Sequence, residues 1–235
     1  MGGVTPDGRC TMSVVSDTID WLTDGANWTG DGGIPTRLAE HLGYTALTVA
    51  VAAAIAIPLG LWVGHTGRLR GLAVVSSGTL RALPTLGVLT WAALQSGGNR
   101  LVPAVLALTV LAIPPLLAGA YAGLESVDRA TIDAARAIGM TEWQILVKVE
   151  IPLAADLIVG GLRSATLQVV ATATIAAYIG LGGLGRYIID GQAVSDYARM
   201  LGASVLVVAL ALALDGLFVL AQRAVSRTSA PVPQP

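Results

Sequence analysis

Residues Glu125–Pro152 read ESVDRATIDAARAIGMTEWQILVKVEIP, a polar island between apolar blocks too long for a soluble core. Its Thr131–Ile138 portion is alanine-rich and favours helix. Gly139 can take the positive φ that ends a helix, and Thr141 with Glu142 supplies N-cap chemistry for a second one. Two short helices meeting at an angle are therefore expected. Ala134, Ala135, Ile138, Trp143, Ile145, Leu146 and Val149 form a mostly apolar set, while Asp133, Arg136, Glu142 and Lys148 stay polar. Such a unit suits a shallow groove on another protein. Pro152 has no N–H and fits the first turn of the following helix, where the chain re-enters lipid.

The blocks on either side set the class. Of 235 residues, 54% are hydrophobic and 12% charged, with a mean hydropathy of +0.71, which argues for an integral membrane protein. Five apolar runs, 44–64, 72–94, 101–124, 154–179 and 201–220, each approach or exceed the ~20 residues that cross a hydrocarbon core. A formal net charge of -1 gives no electrostatic case for nucleic acid. Cys10 is the only cysteine, and His41 and His65 fall on opposite predicted sides of the membrane, so neither a disulfide framework nor a metal centre is expected.

Residues 1–43 are polar and acidic, extracytoplasmic or interfacial, without the cationic start and apolar core of a secretory signal. Val14–Trp21 and Ile34–Leu42 read as short amphipathic helices at the interface, with Trp21 and Trp28 at headgroup depth, and disorder is the equal alternative for the first dozen residues. In the first span Pro58 introduces a bend, and Gly60 with Gly64 offers a face for close packing. The second carries Arg81 and Pro84 near its middle, and the third is interrupted by Pro103, Pro114 and Pro115. An arginine at that depth costs about 2.5–3.5 kcal/mol unless it faces protein or water, so Arg81 should avoid lipid.

The fourth span holds Asp156, Arg163, Ser164, Thr166, Gln168, Thr172 and Thr174, too polar for a lipid face. Arg163 reads either as lining a translocation path or, more blandly, as pairing with Asp156 or a neighbouring helix; Asp215 in the last span reads either as marking a proton or cation route or as pairing with an adjacent helix. The candidates for a path are Arg81, Pro84, Arg163, Gln168 and Thr172. Gly180–Gly185 matches GxGxxG, but no strand precedes it and no acidic residue completes a dinucleotide unit, so its glycines are read as turning the chain at the membrane edge. Residues 223–235 read as a disordered Ser/Pro-rich tail.

Charge sets the orientation. Arg68, Arg70, Arg129, Arg136, Lys148, Arg223 and Arg227 fall on one side, against Arg9, Arg37, Arg100, Arg186 and Arg199 on the other, longer side. The first side is therefore cytoplasmic, and with it the 125–152 loop and the C-terminus.

The spacing Asp133-Ala134-Ala135, three residues, Gly139, nine residues, Val149-Glu150-Ile151-Pro152 resembles the cytoplasmic loop motif of membrane subunits of binding-protein-dependent ABC importers, Glu-Ala-Ala, x3, Gly, x9, Ile-x-Leu-Pro. Asp replaces Glu, Val replaces Ile and Ile replaces Leu. The phrases HLGYTALTV, LRALPTLGVL, GMTEWQILVKVEIPLA, GLRSATLQ and YIGLGGLGRYIIDG are similar to the osmoprotectant branch of those permeases.

The resemblance implies an all-α integral membrane protein with the type I ABC importer permease fold, a five-helix transmembrane core at 44–222 and a cytoplasmic coupling-helix loop at 125–152. It implies that Asp133, Ala134, Ala135, Gly139, Met140, Thr141, Trp143, Ile151 and Pro152 meet an ATPase. It implies two ATPase subunits, a second copy of this permease or a related one, an extracytoplasmic solute-binding protein and a bacterial plasma membrane as partners. This chain lacks a Gly-rich Lys-Ser/Thr phosphate loop and any catalytic constellation, so it is expected to be no enzyme and to bind no cofactor, ATP and magnesium residing on the ATPase. The solute implied is glycine betaine, choline, carnitine or a proline-like amine; the rivals are a permease for methionine or another small polar solute, and a non-transporting scaffold. With tryptophans only at 21, 28, 62, 91 and 143 and none clustered in the spans, an aromatic cage for a quaternary amine is expected on the separate binding protein.

Overall fold

The computed structural model describes residues 9–68, 71 and 84–228. Every regular element among them is helical: α1 (Arg9–Thr23), α2 (Ile34–Thr66), α3 (Thr85–Gln95), α4 (Leu101–Glu125), α5 (Arg129–Ala137), α6 (Glu142–Ile145), α7 (Ile151–Ala173), α8 (Gly185–Val194) and α9 (Tyr197–Thr228). A π-helical segment, Leu146–Glu150, joins α6 to α7, and 3-10 turns occupy Gly25–Trp28 and Thr174–Ile179.

Among the described residues three helices, α2, α4 and the Tyr197–Val225 part of α9, are long and apolar enough to cross a membrane by length and composition. The 23 residues of α7 have the length but carry the polar series Asp156, Arg163, Gln168 and Thr172. α3 is the described remainder of the second expected span; residues 72–83, Arg81 among them, lie outside the described residues.

Several boundaries differ from expectation for local physical reasons. Ile34–Leu42 is no separate interfacial helix. It forms the first turns of the 33-residue α2, because the lone Gly43 does not break a helix whose inner face, Ile34, His41 and Thr45, is already buried. Pro35 opens this helix in its first turn, and Gly67 at φ 67° closes it with its N–H on the Val63 carbonyl. α4 runs unbroken through Pro114 and Pro115, both buried in the packed core, a setting in which helices tolerate proline. In the fourth expected span, α7 ends at Ala173 and tightens into the 3-10 turn 174–179 before Gly180. Beyond Leu220, α9 continues through Arg223 to Thr228, since residues 221–228 contain neither glycine nor proline; that part of the expected disordered tail is helical.

The core is the stack of α2, α4 and α7. Lipid offers no hydrophobic drive for helices to associate, so the stack depends on close van der Waals approach through small residues. Val49, Ala52, Ala56, Ala112, Leu116, Ala165 and Val169 form its centre. A Cβ placed on Gly60 would lie 2.7 Å from the Ala120 Cβ, and one on Gly119 would lie 2.7 Å from the Gly161 Cα, so backbones meet there directly. The expected small-residue face at Gly60 and Gly64 is thus the α2–α4 contact. Leu47, Val51, Ile55, Leu59 and Trp62 on α2 and Val205, Val208 and Leu212 on α9 remain outside, as lipid-facing side chains do.

Around this stack, α1 lies along α9: the Trp21 ring covers Gly202 and meets Tyr187 edge-on at 5.2 Å between centroids. Trp21 is therefore part of a packed cluster, while Trp28 stays half-exposed. The Gly180–Gly185 turn folds over the first turns of α2, Gly183 donating its N–H to the Glu40 carboxylate at 2.7 Å and Gly180 accepting from Arg100 Nη1 at 3.0 Å. It turns the chain, as its glycines at φ 79° and 82° allow.

Candidate functional site

The unit between α4 and α7 is built by local rules. Asp128 caps α5 by accepting from the Ala130 N–H at 3.1 Å. After α5, Gly139 stands at φ 84°, a left-handed conformation that costs an L-residue about 1–2 kcal/mol. Thr141 then starts α6 with a reciprocal capping box: its Oγ1 accepts from the Gln144 N–H, and the Gln144 side chain accepts from the Thr141 N–H at 2.9 Å. The angled pair read from the sequence is present, with Asp128 and Gln144 as additional capping partners.

Its apolar set divides in two. Ala135 and Ile145 are buried with Val127 and Ile132, and Met140 and Val149 pack against them, so these six hold the two helices to each other. Ala135 and Ile145 are therefore buried inside the unit, so the apolar set read from the sequence is only partly on its surface. Ile138 and Trp143 point outward at 80% and 72% exposure, joined by the exposed Ala134. An internal cluster rigidifies the unit and leaves a small apolar tip, which is the arrangement an anchor residue needs. Pro152 lies in the first turn of α7, and through the π segment α6 continues into that helix without a loop. The tip and α7 are thus joined by continuous helical backbone. Ile151, the first residue of α7, lines a cavity of about 500 Å³ with Trp62, Trp143 and Leu146.

The outer surface is ordered by charge. Arg136 holds both oxygens of Glu142, Nε at 2.8 Å and Nη2 at 3.0 Å, and reaches Asp133 Oδ1 at 3.3 Å. The hydrogen bond and charge of Arg136 keep the Glu142 carboxyl below the ordinary carboxylate range, and Glu142 in turn raises the Arg136 guanidinium. Asp133 thus closes an intra-unit ion pair.

The path candidates do not converge on one point. Arg163 donates to Asp215 at 2.6 and 2.9 Å and to Gln222 Oε1 at 3.3 Å, so its partner is the neighbouring α9. Asp156, named above as an alternative, sits two turns away along the same helix, about 10 Å by helical rise, whereas α9 lies alongside. Its backbone carbonyl instead accepts from Gln222 Nε2 at 3.3 Å. Gly160, Arg163, Ser164, Leu167, Asp215 and Gln222 line a cavity of about 320 Å³. Gln168 and Thr172 are half-buried, the Thr172 hydroxyl donating back to the Gln168 carbonyl, and Pro84 precedes α3 as an exposed residue. Two groupings escaped the sequence: the Arg163–Asp215–Gln222 cluster, and the approach of His65 to Glu142 and Glu150. Only the presence of charge at membrane depth pointed to the first.

Comparison with known proteins agrees with this architecture. Residues 56–227 match the family described as binding-protein-dependent transport system inner membrane component. The carnitine transport permease protein OpuCB of Listeria monocytogenes is 33% identical over 176 residues, 75% of this chain and 80% of that protein. The glycine betaine/carnitine/choline transport system permease protein OpuCB of Bacillus subtilis is 31% identical over 198 residues, 84% of this chain and 91% of that protein. Among solved structures, an inward-facing MetNI methionine ABC transporter superposes with a TM-score of 0.71 at 24% identity, covering 82% of this chain and 95% of that one. At these identities the structural likeness speaks for the fold.

Proposed function

The chain belongs to the family of binding-protein-dependent transport system inner membrane components, a transport permease, and from that premise we propose that it carries a small quaternary-amine or proline-like compatible solute across the plasma membrane. The observation that carries the solute class is the 31–33% identity to carnitine and glycine betaine/carnitine/choline permeases over three quarters or more of this chain.

In this reading Ile138 and Trp143 enter a groove on a cytoplasmic ATPase subunit, and Gly139 and the Thr141 cap fix the angle at which they do so. Two permeases and two ATPases make the working assembly, with an extracytoplasmic binding protein delivering solute. The chain hydrolyses nothing itself; ATP and magnesium belong to the ATPase. Closure of the ATPases pushes the α5–α6 unit, and the continuous α6–π–α7 rod turns that push into movement of α7 against α2 and α4. The polar series on α7, Ser164, Gln168 and Thr172 at intervals of four residues, then faces solute in transit.

The test is uptake of radiolabelled glycine betaine by a bacterial strain stripped of its own osmoprotectant transporters, expressing this permease with an ATPase subunit and a binding protein of the osmoprotectant type. Salt-stimulated uptake that requires the ATPase is expected. Uptake of methionine but not glycine betaine overturns the solute class.

A further inference from the structure

His65 stands in the last turn of α2, with Gly67 ending the helix two residues later. Its ring is mostly buried, and each nitrogen faces a carboxylate of the α6–π segment: Nδ1 lies 2.5 Å from Glu150 Oε2, and Nε2 lies 3.5 Å from Glu142 Oε2. The Nδ1–Glu150 contact is the hydrogen bond of the pair, and the Nε2–Glu142 approach is the looser one. The Glu150 side chain is 5% exposed, and a carboxylate so buried needs a partner. Because Arg136 grips Glu142 and reaches Asp133, polar contacts run along one line: Glu150, His65, Glu142, Arg136, Asp133.

The setting gives this line its significance. α2 packs along α4 and α7, and it makes no comparable contact with α5 or α6. Beside His65, between the end of α2 and the start of α7, lies the 500 Å³ cavity whose apolar wall includes Pro58, Leu61, Trp62, Trp143 and Leu146. Close packing therefore does not hold the end of α2 to the coupling unit. The π segment turns Glu150 inward at this place, a distortion that recurs where helices carry function.

We propose that His65 is the positioning residue that locks the cytoplasmic end of α2 to the α5–α6 unit, so that a push on the unit moves α2 and α7 together. Its role in transport rests on the reading of that unit as the part an ATPase displaces, but the lock is a property of this chain alone.

The test is dipolar electron paramagnetic resonance on the full-length permease in lipid nanodiscs, without ATPase or solute, so that its outcome is independent of the importer reading. Spin labels are placed at Arg68→Cys and Ala137→Cys in a Cys10→Ser background. A single narrow distance is expected. His65→Ala and His65→Gln should lose it in favour of a broad or split distribution, and His65→Lys, which places a hydrogen-bond donor between the two carboxylates, should regain it. Glu142→Gln, at a position exposed rather than in the packed core, should also broaden it. A native distribution in His65→Ala, His65→Gln or Glu142→Gln overturns the lock, as does failure of the lysine variant to narrow it.

Discussion

Arg163 and Asp215 hold each other across the α7–α9 contact, the guanidinium nitrogens standing 2.6 and 2.9 Å from the two carboxylate oxygens. Charges at membrane depth are tolerated when paired, and removing one strands the other. Arg163→Leu or Asp215→Leu alone should therefore lower the thermal unfolding midpoint in detergent, whereas the double leucine variant should recover most of the loss. Additive losses in that double-mutant cycle would show that the two residues act separately.

The helix stack depends on direct backbone approach at Gly119 and Gly161, where an added Cβ finds an atom at 2.7–2.8 Å. Gly161→Leu should destabilise by about 3 kcal/mol or more, as overpacking at a tight site does. Gly216→Ala, with nothing within 4 Å of the new methyl, is the matched control and should retain the wild-type midpoint. Thermal unfolding of the purified proteins distinguishes them.

Much of the α5–α6 unit was legible in the sequence because its rules are local. A glycine ends α5, a threonine caps α6, and a proline opens α7, each by backbone chemistry within four residues. Which apolar residues face inward was not legible: Ala135 and Ile145 alternate with Ala134 and Trp143 on helices too short for a periodic signal. Nor were the pairs Arg163–Asp215 and His65–Glu150, whose members are brought together only by packing of distant helices. The fusion of Ile34–Leu42 into α2 was hidden because Gly43 reads as punctuation unless the buried face beneath it is seen.

Gly139 separates a folding effect from a docking effect. Gly139→Ala should cost about 1–2 kcal/mol through its left-handed φ. Gly139→Pro, whose ring forbids φ 84°, should leave membrane insertion intact yet abolish co-purification of the ATPase. Recruitment of the ATPase at wild-type levels by the proline variant would remove this account of the turn.

Glu142 has a folded-state pKa below its ordinary value of 4.5, first through the Arg136 hydrogen bond. A depressed carboxyl stabilises the fold above its unfolded pKa, and that contribution is lost as pH falls through the folded value. The pair is therefore complete at neutral pH and released only in acid. Carbon-13 titration of the Glu142 carboxyl should show an upward shift in Arg136→Ala; an unchanged midpoint would mean the ion pair does not govern it.

The central claim is that the exposed tip at Ile138 and Trp143 lies on the inner side of the membrane and is covered by an ATPase. It is tested most directly by a membrane-impermeant maleimide on Trp143→Cys in a Cys10→Ser background. The account predicts no labelling in intact cells, labelling in inverted vesicles stripped of ATPase, and protection when the ATPase is added back. Labelling in intact cells, or equal labelling with and without the ATPase, would contradict it.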